Sequence, residues 1–270
     1  MFGTPAFFVY NFCVIAAGIL AFFAVLLYRF EISYATVRAS SFISGVSYHR
    51  YGFPPKRAFL AKINISNHKD NLRVVDAKRL KRESVNVMSF VSSHAVEACV
   101  NGSFYTETNE PIGLLVSRGK IINPVHSSKG TLRSILSSTL SSGLVVQDIH
   151  SNVPHDTLEA IQGGTTFASV EKFLKTVSYV SAAKSLVCLK TDRDFELISF
   201  SALFEDSRKL KPFISEDCSK LVTLDGGSSS SLWFKVKRTS ANVSGVNQNA
   251  YVPVMLCILP AEELGDKLQK

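Results

Sequence analysis

Asn101 and Asp225 each close an apolar run, and each is followed by glycine and small hydroxyl residues. The first stretch reads Ala98-Cys99-Val100-Asn101-Gly102-Ser103-Phe104-Tyr105, and the second reads Leu221-Val222-Thr223-Leu224-Asp225-Gly226-Gly227-Ser228-Ser229. Apolar runs of this length predict buried strands, and glycine just beyond lets the backbone turn or approach a ligand closely. Both polar residues then sit at strand ends, where open sheets tend to place ligand sites. A carboxyl at such a position can serve as acid, base or nucleophile, with burial and hydrogen bonding setting its protonation. It can equally cap a turn through Ser228. Asn101 donates and accepts hydrogen bonds, which suits a sugar hydroxyl or a phosphate oxygen. Asn-Gly is also a common tight-turn dipeptide. Gly226, Gly227, Ser228 and Ser229 can present backbone N–H groups to an anion. These residues together predict a polar site assembled from two distant strands.

Glycoside cleavage commonly uses two carboxylates. A partner for Asp225 is not specified by the sequence, and Glu107, Asp148 and Asp192 are all candidates. His126, His150 and His155 lie near one another in sequence without a metal-ligand spacing, so no metal site is predicted. Gly-x-Ser-x-Gly, a Walker loop and His-Glu-x-x-His are all missing, and no cofactor is specified.

Taken in order, Asn101-Gly102-Ser103-Phe104-Tyr105, Gln162-Gly163-Gly164 and Leu224-Asp225-Gly226-Gly227-Ser228-Ser229 resemble the phosphodiester glycosidase family over roughly residues 58 to 260. The resemblance implies a hydrolase acting on a sugar-1-phosphate diester or a related glycosidic linkage. Asp225 and Asn101 would be its catalytic residues, with Gly102, Ser103, Gln162, Gly163, Lys184, Gly226, Gly227, Ser228 and Ser229 contacting substrate. Two departures stand out. Gly164 follows Gln162-Gly163 where members usually have proline, and Lys184 stands where they usually have arginine. Lysine lacks the planar fork that grips a phosphate by two hydrogen bonds. The alternative reading is a catalytically inactive relative that binds glycan or cell-envelope polymer.

The elements that must position these residues are short. Strands are predicted over 58–65, 72–75, 85–90, 95–100, 144–149, 185–189, 195–200, 232–236 and 251–259, with a turn at residues 67–70 joining the first two. A hairpin is expected across Ser117-Arg118-Gly119-Lys120. Leu132, Ile135, Leu136 and Leu140 suggest a helix in 131–142, and Val170, Phe173, Leu174 and Val177 a helix after Ser169. One or two short helices are expected in 201–219. Without regular strand–helix alternation the pattern is α+β: a mixed β-sheet domain with a few flanking helices.

Residues 1–28 carry no charge and are long and apolar enough for one transmembrane helix. The expected organisation is an anchor at 1–28, a polar connector at 29–57, the domain at 58–260 and a charged tail at 261–270. The start is not basic and no cleavage site follows closely, which favours an uncleaved anchor over a signal peptide. Arg29 and Arg38 behind the anchor argue for a cytoplasmic domain. The family resemblance implies an exported one instead, and export is the expectation. The formal net charge of +8 is concentrated between Arg29 and Arg82, where twelve Lys/Arg face Glu31, Asp70 and Asp76. No aromatic interleaving accompanies those charges, so an anionic membrane surface is expected and nucleic acid is not. Cys99, Cys188 and Cys257 lie in apolar contexts that predict free buried thiols, although four cysteines outside the anchor can also form two disulfides.

Overall fold

A computed structural model describes residues 37–40, 46–53, 58–66, 72–127, 130, 132–176, 183–200, 207–235 and 243–259. The anchor at 1–28, the tail at 261–270 and the turn at 67–70 lie outside the described residues. Among those described, no helix is long and apolar enough to cross a membrane.

The architecture is mostly β, and every pairing between the described strands is antiparallel. A seven-stranded sheet runs in the order Val37–Ser40, Val46–Phe53, Ala58–Ile65, Phe195–Phe200, Lys184–Leu189, Lys220–Gly226, Thr166–Phe167. A second sheet runs Gly143–Asp148, Ser134–Thr139, Thr157–Gly163, Leu115–Ser117, Lys120–Asn123. The third runs Val243–Val246, Leu232–Lys235, Ala98–Asn101, Val254–Ile258, Leu72–Asp76. Ile63, Leu197, Leu136, Ile161, Val100 and Phe234 come from all three sheets and meet in one buried cluster. Within it the rings of Tyr48 and Phe234 stack with centroids 4.8 Å apart.

Two short helices cover outer faces. Val170–Thr176 packs Phe173 and Leu174 against Leu186, Ile198 and Leu221 of the large sheet. Val87–Ser93 packs Phe90 and Val91 against Cys99, Met255 and Cys257 of the third.

Several expectations are corrected. Within the expected connector, Val37–Ser40 and Val46–Phe53 are two strands of the large sheet. The strands Ala58–Ile65 and Leu72–Asp76 belong to different sheets and do not form a hairpin. Residues 131–142 contain the strand Ser134–Thr139, whose residues are all buried. Serine is small enough to be packed on both faces there, so the leucine spacing did not report a helix. The expected strand at 85–90 ends after Asn86, whose side chain accepts from Ser89 N and caps the helix 87–93.

The cysteines also differ from expectation, because Cys99–Cys257 and Cys188–Cys218 are disulfides. Cys99 and Cys257 are direct partners in the antiparallel register. Their apolar neighbours reflect the burial of both strands and say nothing about pairing. Glu159 adds a polar tie between sheets: its carboxylate accepts from Val74 N at 2.9 Å and Arg118 N at 3.2 Å, with Arg73 Nε 3.7 Å away. Burial pushes the Glu159 pKa up, against those three partners.

The Cys99–Cys257 bridge closes a separation of 158 residues, so it restricts the unfolded chain strongly. Replacing both cysteines with alanine should cost about 2–5 kcal/mol in denaturant unfolding, the usual range for a native disulfide. Mass spectrometry without reductant should recover Cys99 with Cys257 and Cys188 with Cys218.

Candidate active site

Asn101 ends its strand almost fully buried, and each polar atom of its side chain is used. Its Nδ2 donates to the Asp225 carbonyl at 2.9 Å. Its Oδ1 accepts from the Ser185 hydroxyl at 2.5 Å and from Ser231 N at 3.0 Å. The Ser185 hydroxyl also meets Ser199 Oγ at 3.0 Å. The backbone continues the seam: Asp225 N donates to the Gly102 carbonyl at 3.3 Å, and Gly102 N to the Val254 carbonyl at 2.8 Å. Gly102 permits that approach, since a Cβ there would lie 2.8 Å from Val254 Cγ1. Asn101 therefore fastens the Asp225 strand to the third sheet.

Asp225 is half-buried near the end of its strand. Its Oδ1 accepts from Gly226 N at 2.8 Å, and Ser229 donates to the same carboxyl. The Ser229 hydroxyl in turn lies 2.7 Å from Tyr105 OH. Lys184 opens the adjacent strand opposite Gly226. Its Nζ would be 3.6 Å from a Cβ on Gly226, which places the ammonium beside the turn. Burial pushes the Asp225 pKa up, while the bonds from Ser229 and Gly226 and the Lys184 charge pull it down. Burial prevails, so this carboxyl holds its proton more firmly than an exposed aspartate.

The turn beyond Asp225 is tightly specified. Gly227 adopts φ +66°, a conformation open to glycine at little cost, and its N–H donates to the Ala183 carbonyl at 2.9 Å. Asn247 Nδ2 holds the turn from the other side, donating to the carbonyls of Ser228 at 2.7 Å and Ser230 at 2.9 Å. Ser228 is exposed at the tip, and Ser103 is buried close behind Asn101 in sequence.

Gln162 is placed differently from the others. Its Oε1 accepts from Leu114 N and His126 N, both at 2.9 Å, and its Nε2 donates to the carbonyls of His126 at 2.7 Å and Leu132 at 3.3 Å. The side chain is fully buried and braces loops of the second sheet. A buried amide with four backbone partners has none of its hydrogen-bonding capacity left for a sugar. Gly163 and Gly164 instead bring the chain against the Asp225 strand: Gly164 N donates to the Thr223 carbonyl at 2.8 Å, and a Cβ on Gly163 would lie 2.9 Å from Val222 Cγ1.

The three carboxylates considered as partners are also dispersed. Glu107 is exposed in a loop, and Asp192 sits in the turn beyond Leu189, at the far end of the strand that Lys184 begins. Asp148 lines a separate cavity with Arg133, Thr165 and Lys220, the last of which starts the strand that Asp225 nearly ends. Among the described residues, Lys184 is the charged group that acts on Asp225. Tyr105, Ser185, Ser231 and Asn247 complete the site without having been singled out by spacing. Tyr105 lies in the Asn-Gly motif, but its reach to Ser229 depends on the folded register.

The family model described as phosphodiester glycosidase matches residues 94–259. The chain belongs to the phosphodiester glycosidase family. It is accordingly a hydrolase of the phosphodiester-glycosidase type. The zebrafish N-acetylglucosamine-1-phosphodiester alpha-N-acetylglucosaminidase catalytic domain, auto-inhibited by its pro-peptide, is similar in fold at 12% identity and a TM-score of 0.56. That match covers 83% of this chain and 87% of the other. A putative exported protein from Burkholderia pseudomallei K96243 aligns at 10% identity and a TM-score of 0.49, covering 75% of this chain and 74% of the other. No curated protein matches the chain.

Two substitutions should move stability in different ways. Asn101→Ala leaves Ser231 N, the Ser185 hydroxyl and the Asp225 carbonyl short of a buried partner, and should cost about 1–3 kcal/mol or more. Asp225 has a folded-state pKa above its ordinary 3.8, so the proton is bound more tightly in the folded protein. Its contribution is therefore present at low pH and lost as pH rises through the raised value. Asp225→Asn should consequently be no less stable than the parent at neutral pH, and any gain should vanish below about pH 4. Denaturant unfolding at both pH values checks each expectation.

Proposed function

We propose that the chain hydrolyses a sugar-1-phosphate diester or a related glycosidic linkage, with Asp225 as general acid. The observation that carries this reading is the setting of Asp225, a half-buried carboxyl with raised proton affinity at a strand end, beside a cation and a hydroxyl. A carboxyl that keeps its proton nearer neutrality can protonate a leaving oxygen, and a proton donor matched to working pH is the efficient one. Ser229 and Tyr105 orient it, and the two-pronged hold of Asn101 on the strand ends fixes where it stands. Lys184 offsets the negative charge of a phosphate brought near Asp225, and N–H groups of the glycine-serine turn can add hydrogen bonds.

The second reading is binding without turnover. It rests on the dispersal of Glu107, Asp148 and Asp192, which leaves Asp225 with no second carboxylate beside it among the described residues.

Turnover of aryl and sugar phosphodiester glycosides separates the two. Asp225→Asn should lower kcat by about a hundredfold or more, the scale of losing a general acid, with the fold intact. Lys184→Met removes the charge that lowers the Asp225 pKa. The basic limb of the pH–rate profile, where the acid loses its proton, should then move to higher pH. A wild-type protein with no turnover on any of these substrates but measurable glycan binding selects the second reading.

For location, we propose a single anchor at residues 1–28 carrying the domain outside the cytoplasm. Two disulfides support an oxidising compartment. Deleting residues 1–28 should release the protein from the membrane fraction; retention there after a high-salt wash defeats the single-anchor proposal.

A further inference from the structure

Arg79, Lys81, Arg82 and Lys120 form a basic surface that the strand-end site does not use. All four are exposed, and their side chains make no ion pair among the described residues. The first three belong to one helical turn, Ala77–Leu80, and the residues that close it. Asp76 caps this turn by accepting from Lys78 N at 3.0 Å. Lys81 stands in the left-handed region at φ +58°, with its N–H donating back to the Ala77 and Lys78 carbonyls. Arg82 N adds a bond to the Ala77 carbonyl at 3.0 Å. A lysine holds that conformation only where its surroundings impose it. The three cations are therefore displayed from a fixed backbone.

Lys120 joins them from another sheet, as the register partner of Ser117 in the 115–123 hairpin. The two segments adjoin: Ser117 Oγ donates to the Val74 carbonyl at 3.1 Å, and Arg79 and Arg118 line one crevice. That crevice holds only about 50 Å³. Small-molecule pockets span roughly 300–1,000 Å³, so the feature is a surface and not a ligand pocket. Acids of the neighbourhood are mostly spent. Asp76 is buried, Glu110 pairs with Lys78, and buried Glu159 faces Arg73, which leaves Glu83 as the exposed acid of the 77–83 segment. Ile121, next to Lys120, is 68% exposed. Cations beside an exposed apolar side chain suit a bilayer interface, where charges meet lipid phosphates and the apolar group enters the headgroup layer. A nucleic acid would reward the charges alone, and neither 77–83 nor 117–121 carries an aromatic side chain on which a base could stack.

We propose that this surface docks the domain on an anionic phospholipid bilayer, with Arg79, Lys81, Arg82 and Lys120 against lipid phosphates and Ile121 in the headgroup layer. The proposal rests on the proposed anchor, which holds the domain at a bilayer, and is independent of hydrolysis. Lys120 and Ile121 lie outside the basic stretch between Arg29 and Arg82, and the fold brings them to it. Docking also orients the site. Asn101, Met255 and Val75 are successive register partners across the third sheet, so the turn after Asp76 leaves that sheet at the Asn101 end. Gly102 N donates to the Val254 carbonyl and Ala77 N to the Pro253 carbonyl, each at 2.8 Å. A bilayer against the turn therefore sets the Asn101 end of the sheet near the headgroups.

Hydrogen exchange of the full chain reconstituted in lipid nanodiscs tests the docking. Backbone amides of 77–82 and 117–121 should exchange about fivefold or more slowly in phosphatidylglycerol discs than in phosphatidylcholine discs, since each cation at an anionic surface contributes about fivefold. Salt near 1 M should abolish the difference, because the screening length falls to about 3 Å. Exchange at 191–194, in the turn beyond Leu189, should be the same in both lipids. Arg79→Gln with Lys81→Asn and Arg82→Gln should lower the docking constant about a hundredfold and remove the slowing at 117–121. Asparagine tolerates the positive φ of Lys81. Lys120→Gln with Ile121→Ser should weaken docking about tenfold or more, read at 77–82. Should one of these variants fail to fold, the other decides. Equal exchange in the two lipids, or slowing that persists in the folded variants, overturns the proposal. Slowing by duplex DNA with none from phosphatidylglycerol makes this face a nucleic-acid surface and overturns it too. A chain that does not enter the discs defeats the single-anchor proposal; cosedimentation with phosphatidylglycerol vesicles, reduced in the same variants, then upholds the docking, and its absence overturns it.

Discussion

The buried carboxamide of Asn101 is the contact on which the site depends. It reaches the Asp225 carbonyl, Ser185 and Ser231 N, and thereby locks the ends of three strands from two sheets. A single amide can do this because it offers donor and acceptor at opposite edges, and burial removes competing water. Loss of the amide itself would take a hydrogen bond from all three partners at once, so the arrangement resists small displacements. The position of the Asp225 carboxyl follows from that restraint on its own backbone.

Around this joint the chain separates structural polarity from chemical polarity. Gln162 and Glu159 are buried polar groups whose hydrogen bonds go to backbone, and they hold loops and sheets together. Asp225, Lys184 and Ser228 keep some exposure at the strand ends. Burial raises the proton affinity of Asp225 without isolating it from Ser229 or Lys184. The same residue types thus perform different work according to whether their capacity is exhausted inside the protein.

The outer framework explains how so β-rich a chain keeps its site in register. Three antiparallel sheets share one apolar cluster, and the Cys99–Cys257 bridge sits in the strand pair that ends at Asn101. Val37–Ser40 and Val46–Phe53 extend the large sheet beyond the family-matched span, and Arg50 on the second of them donates to the Gly245 carbonyl of the third sheet.

The sequence by itself determined the two strand-end motifs, the hairpins at 115–123 and 184–200, and the helix at 170–176, because local apolar spacing and turn residues carry that information. It also placed Asn101 and Asp225 at strand ends. The tertiary structure alone decided that Gln162 faces inward, since nothing local distinguishes an amide bonded to loops from one offered to a ligand. The same holds for residues 134–139, where burial on both faces overrode a helical leucine spacing. Pairing of Cys99 with Cys257 and the approach of Arg50 to Gly245 depend on contacts between residues more than a hundred positions apart. Only sheet register brings such residues together, and register is a property of the folded chain.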